Sequence, residues 1–146
     1  MDFFSSLDVS SSALKAERTR MNLIAGNMAN ANSTRTAEGG PYKRKDAVFT
    51  ALQPDSPSFG QTLSSLGAGS PEGVEVTSII EDQSPPRLQY DPTHPDADAK
   101  GFVAMPNVNI VEEMADMITA SRAYEANITA AQAAKAMAMK TLELGR

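Results

Sequence analysis

The sequence predicts a mainly α chain with a small β part. Its N- and C-terminal helices are expected to pair as an antiparallel coiled-coil hairpin, with a short β-containing excursion between them. Three observations carry this. An apolar stripe of seven-residue period runs from Leu7 to Met28, and a second, of 3-4 spacing, runs from Ile110 to Leu142. Between them lies a stretch rich in Pro, Gly and Ser, with brief runs of strand-like alternation. Residues 1–34 with 107–146 are expected to form a discontinuous helical core. Residues 35–106 are expected to form an extended loop and small β-containing segment, with 51–73 as a flexible insert.

The first helix has a start signal. Ser5-Ser6-Leu7-Asp8 fits a capping box with Ser5 as N-cap, and Phe4 and Val9 stand where a hydrophobic staple would put them. Leu7, Leu14, Met21 and Met28 then recur every seven residues, with Ile24 and Ala25 between them. This is one narrow stripe on a helix of about 25 residues, roughly 37 Å long. The run Gly26-Asn27-Met28-Ala29-Asn30-Ala31-Asn32 then crowds three asparagines together. Asparagine favours helix C-caps and left-handed backbone, and its amide can satisfy orphan carbonyls. The helix is therefore expected to end near Asn30 to Asn32, the asparagines forming a corner rather than a ligand site. Residues 35–45 should then run along the outside of the hairpin.

The central elements are weaker. Val74, Val76 and Ile80 alternate as a strand would, and Arg87–Tyr90 and Phe102–Met105 are short strand candidates.

The last helix is predicted to open at Asn109 as N-cap, with Glu112 three residues on. Its seam is read through Ile110, Met114, Met117, Ser121, Tyr124, Ile128, Ala131, Ala138 and Leu142, with Lys135 out of place. Ala, Ser and Met allow close approach but give little burial each, so neither helix is expected to be stable alone.

Composition narrows the function. The formal net charge of -5 argues against a nucleic-acid partner. With 5% aromatic residues and no Trp, the core should be thin, and part of the burial should come from neighbours. The absence of Cys excludes disulfides, CxxC redox chemistry and Cys-based zinc sites. Asp2 and the missing basic and apolar regions speak against a cleaved secretory signal. The longest apolar run falls far short of the roughly 20 residues of a membrane span, so no membrane insertion is expected.

Catalytic motifs fail in turn. The one histidine, His94, lies among Asp91, Asp96 and Asp98. Asp96-Ala97-Asp98 with Gly101 begins like a calcium loop, but Lys100 at the fifth position offers no oxygen and Asn107 at the twelfth cannot supply the bidentate carboxylate. A solvated turn fixed by Asp-Pro and His-Pro is the expectation. Ser70 lacks the flanking glycines of a nucleophile elbow, and residues 38–45 lack phosphate-loop spacing. Lys43 and Arg44 are read as a solvated basic corner or an edge that pairs with an acidic neighbour. Glu112 and Glu113 suit the helix macrodipole without a catalytic role. No cofactor, no metal site and no enzyme activity are expected.

Two segments carry a resemblance. Residues 12–49, with Arg18-Thr19-Arg20-Met21 and Glu38-Gly39-Gly40-Pro41-Tyr42, strongly resemble the N-terminal signature of the bacterial flagellar axial proteins, the rod and hook subunits. Residues 94–146 are similar to the C-terminal half of the proximal-rod members, through Asn107-Val108-Asn109, Arg122-Ala123-Tyr124-Glu125 and the closing Gly145-Arg146. Gly26 and Met28 replace the more usual Ser and Leu. The resemblance implies a non-enzymatic subunit whose helices form an inner coiled-coil domain, stacked helically around an export channel in the drive shaft from motor to hook.

It also implies partners: other copies of the chain, other rod proteins, the adaptor at the rod base and MS ring, and the type III export apparatus in transit. The apolar residues named above, with Ile24, would then serve helix–helix and subunit packing. Corner and inter-subunit polar contacts would fall to Asn27, Asn30, Asn32, Lys43, Arg44, Asn107, Asn109, Arg122 and Glu125. The alternatives weighed are another type III-exported helical needle or translocator component, and a metal-dependent enzyme using the His94 loop.

Overall fold

The computed structural model describes residues 3–37, 39–52 and 73–144. Most of the expected flexible insert, 53–72, lies outside the described residues, as do Glu38 and the last two positions. In chain order the elements are α1 (Phe3–Ala29), β1 (Lys45–Ala51), β2 (Val74–Glu81), β3 (Arg87–Tyr90), β4 (Phe102–Met105) and α2 (Ile110–Leu144). The chain is mainly helical with two small antiparallel sheets, β1 with β2 and β3 with β4.

The two helices pack side by side and antiparallel. Asn27 meets Glu113, Arg20 meets Asp116, and the Ser121 hydroxyl approaches the Met21 sulfur at 3.8 Å. As residue numbers fall along α1 they rise along α2. The 35 residues of α2 reach about 52 Å against about 40 Å for the 27 of α1. With Asn27 opposite Glu113, the last two turns of α2 run past Phe3, and Met139, Leu142 and Leu144 are exposed there.

The helix seam is rotated from the one the apolar periodicity predicts. The covered line on α2 runs through Glu113, Met117, Ala120, Tyr124, Asn127, Ala131, Ala134 and Ala138. Met117, Tyr124, Ala131 and Ala138 were expected. Ile110, Met114 and Leu142 were also expected there but are exposed, while Ser121 and Ile128 sit half-buried beside the line. Lys135 no longer interrupts the repeat, because Ala134 holds that place. The reason is size. Among the described residues four of the seven buried apolar ones, Ala16, Ala31, Ala120 and Ala134, are alanines, three of them on the helices, which close where side chains are smallest. On α1 the same line buries Ile24, while Leu7, Leu14, Met21 and Met28 are half-covered.

The helix ends differ in how well they were foreseen. α1 begins at Phe3, so Ser5 lies within its first turn rather than at the cap. It ends at Ala29, where the Asn30 amide donates back to the Gly26 carbonyl at 2.9 Å and Ser33 donates to Asn30. At the start of α2, the Asn109 side chain accepts from the Val111 amide at 3.2 Å, an N-cap bond.

Strand β1 had no sequence signal beyond a short alternation. It pairs with β2 from Lys45↔Glu81 to Ala51↔Val74, with a register shift between Val48 and Phe49. The shift leaves Thr77 as the extra residue and reverses which side chains face inward beyond it. Val74 and Val76 are therefore half-buried while Ile80 is exposed, although all three alternate in sequence. Val74 is tied to α1 through its amide, which donates to the Ser12 hydroxyl at 3.1 Å. In the second hairpin, Val103 is buried against the body and Leu88 and Tyr90 face outward.

Candidate functional site: a buried polar junction

At the end of α1 nearest the start of α2, the chain buries polar groups instead of apolar ones. Asn27 is 0% exposed and Glu113 1% exposed. The Asn27 amide donates to the Lys45 carbonyl at 2.9 Å and to Glu113 Oε2 at 3.1 Å. Its oxygen accepts from the Lys45 amide at 2.9 Å and from the Tyr42 hydroxyl at 3.0 Å. All four hydrogen-bonding positions of the side chain are thus filled, joining α1, the start of β1 and α2.

Arg44 completes the junction. Its Nε donates to Glu113 Oε1 at 2.5 Å, and its terminal nitrogens reach Asp46 at 3.2 Å and Asp116 at 3.6 Å. Arg20 adds a longer contact to Asp116 at 3.9 Å. Burial alone would lower the Arg44 pKa, but the hydrogen bonds and charges of Glu113 and Asp46 outweigh it and raise it. Burial is also the main cause that lifts the Tyr42 hydroxyl, keeping it the donor Asn27 requires.

This corrects two expectations. Asn27 is not a corner residue but the buried tie between three elements, and none of its polar positions is left for a neighbour. Arg44 is not a solvated basic corner, because its partners are acids of this same chain. Residues 42–45 accordingly lie against the contact of the two helices, with Tyr42, Arg44 and Lys45 half-buried and Lys43 exposed. The exposed polar positions are Asn32, Lys43, Asn107, Arg122 and Glu125, while Asn30 and Asn109 terminate helices. The structure brings Asn27 and Arg44 together and leaves the others apart.

Sequence reading missed Glu113, Tyr42 and Asp116 as members. Glu113 was assigned to the helix dipole alone. The usable signal was an acid breaking the small-residue line four positions before Met117, with Asn27 doing the same on α1.

A second, smaller contact holds the other side of the α1 exit. The Thr34 hydroxyl donates to Asp96 at 2.8 Å and Arg35 pairs with Asp96 at 2.9 Å. Asp96 lies in the turn from β3 to β4, where Asp91 accepts from Thr93 and Asp98 from Lys100 and Phe102. Gly101 sits there at φ 80°, a left-handed backbone that glycine adopts without strain. Among the described residues no group of three or more His, Asp or Glu could hold a metal ion, and no helix is long and apolar enough to cross a membrane.

The buried donors and acceptors of the junction are paired with one another, and the network ties the end of α1, the 42–46 segment and the start of α2 together.

Comparison with known proteins fits a mechanical part. Residues 7–35 match the flagella basal body rod protein family, and residues 99–144 match the C-terminal family of flagellar basal body rod FlgEFG proteins. The chain is 46% identical to the flagellar basal-body rod protein FlgC of Borreliella burgdorferi, covering 99% of this chain and 98% of that one. It is 46% identical to FlgC of Bacillus subtilis over the whole of both chains. With FlgC of Salmonella typhimurium it shares 42% identity over 95% of each.

Proposed function

We infer, from the premise that this chain belongs to the FlgC family of flagellar basal-body rod proteins, how its exposed surfaces serve assembly. It is a structural subunit of the proximal rod of the flagellar basal body. It joins other rod proteins there, stacking helically with them and with copies of itself into a shaft that carries torque by packing, without catalysis. The two helices act as the inner coiled-coil unit of that stack. In transit the chain uses the flagellar type III export apparatus without cleavage, and at its base it meets the adaptor to the MS ring.

One observation carries the packing role. Large apolar side chains stand uncovered at both ends of α2, with Met114 at 50% and Leu142 at 71% exposure, while alanines fill the seam. A chain that used its apolar residues only for its own core would do the reverse. We assign Ile110, Met114 and Leu142 to subunit contacts, and Met21, Ile24, Met28, Met117, Tyr124 and Ile128, with Leu7 and Leu14, to the helix pair. Asn32, Lys43, Asn107, Arg122 and Glu125 supply polar contacts at subunit borders.

The test is complementation of a strain lacking this protein. Met114→Asp and Leu142→Asp chains should be made at parental levels yet leave cells non-swimming, with no completed rods in isolated basal bodies. Normal swimming by both variants overturns the assignment.

A further inference from the structure

The chain's one histidine sits where a proton would disturb a tertiary contact. In the β3–β4 turn, the backbone amide of Asp96 donates to His94 Nδ1 at 3.1 Å. A backbone N–H can only donate, so Nδ1 must carry a lone pair, and the ring proton is on Nε2. The residue whose amide is held this way is the one that fastens the turn to the α1 exit. The two carboxylate oxygens of Asp96 take the Thr34 hydroxyl at 2.8 Å and Arg35 at 2.9 Å.

We propose that His94 is a proton-operated release for the contact between the β3–β4 turn and the α1 exit. A proton taken from water onto Nδ1 gives an imidazolium with N–H groups at both nitrogens and no acceptor. The Asp96 amide then faces a donor, loses its bond, and the turn must swing to find another arrangement. The charged neighbours of the imidazole are Asp91 and Asp96 on its own turn, with Arg35 from the α1 exit reaching it through Asp96. The imidazolium is a cation beside the carboxylates of Asp91 and Asp96, and the new arrangement is one in which an acid turns toward the ring. For Asp96 that means leaving Thr34 and Arg35.

The experiment is two-dimensional NMR of the full chain between pH 8 and pH 5, a span in which histidine is the side chain that ordinarily changes charge. At pH 8 the Thr34–Asp96 contact should be visible as a through-space signal. On acidification the His94 ring, the Asp96 amide and the Thr34 amide should shift together with one midpoint, and the contact should weaken roughly tenfold. In His94→Asn, whose amide oxygen accepts without titrating, the contact should persist at pH 5. In His94→Ala it should be weak throughout. A ring that titrates while the Asp96 and Thr34 amides stay still overturns the proposal. So does a chain in which the Thr34–Asp96 contact is missing at pH 8, or one in which His94→Asn loses the contact on acidification as the parent does.

Discussion

The side chains of Asn27 and Glu113, 86 positions apart, are buried against each other and joined by a hydrogen bond of 3.1 Å. An apolar pair would bury more apolar surface there. The polar pair gives register, because only one sliding position of α1 on α2 satisfies both Asn27 and the Arg44–Glu113 ion pair. That makes the junction sensitive to single substitutions.

Asn27→Ala leaves the amide and carbonyl of Lys45, the Tyr42 hydroxyl and one Glu113 oxygen without their partner. It should destabilise the chain by about 3 kcal/mol. Asn27→Asp should be worse, since it removes both donors and sets a second carboxylate beside Glu113. Urea denaturation followed by circular dichroism measures both. A midpoint unchanged in Asn27→Ala means the junction is not what holds the helices in register.

The rotated seam separates two kinds of variant. Ala120 is wholly buried, so Ala120→Leu must push the helices apart and should cost about 2 kcal/mol. Met114→Asp, on the exposed side, should change the stability of the free chain in urea by no more than about 0.5 kcal/mol while abolishing swimming. The opposite pattern would restore the seam that the apolar periodicity suggests.

Gly101 has φ 80°, and a Cβ there would lie 3.0 Å from the Tyr90 ring and 3.3 Å from Pro92. Gly101→Ala should cost about 1–3 kcal/mol through backbone strain and loosen the edge-to-face pair of Tyr90 with Phe102, whose centroids are 5.3 Å apart. The upfield-shifted ring protons of that pair report the loss directly. The helices should keep their circular dichroism.

Asp91 should titrate below its ordinary 3.8, chiefly because the Thr93 hydroxyl and then the Thr93 amide donate to its carboxylate. A carboxyl depressed on folding adds stability above its ordinary value, and loses that contribution as pH falls through the folded-state value. Thr93→Val removes the hydroxyl donor and should raise the Asp91 titration toward 3.8 in carboxyl carbon NMR. Above about pH 5, where the carboxyl is ionised in both chains, the variant should be less stable by a constant amount, and the difference should fade as pH falls through the folded-state value.

Much of the fold was readable from local chemistry. Both helices, the Asn109 cap and the turn after Ala29 follow from periodicity, side-chain capping and the Asn cluster, all of which act within a few residues. The β3 and β4 candidates also stood out, because Pro and Gly bound short apolar runs. β1 escaped, since its alternation is weak and its pairing with β2 is a matter of distant partners. The seam escaped by one position per heptad, because apolarity ranks Met114 and Ile128 above Glu113 and Asn127, the residues that lie on the covered line.

Residue order therefore determined what each segment is: two long Ala- and Met-rich helices, a break at the asparagines, and a β-containing excursion. It determined a chain with few large apolar side chains, and so a thin core. Tertiary structure decided which face of each helix is inside, and that Asn27, Arg44 and Glu113 meet. Periodicity records only how apolar a face is. The closest approach of two helices is set by side-chain size and by whether buried polar groups find partners, and those partners lie far away along the chain.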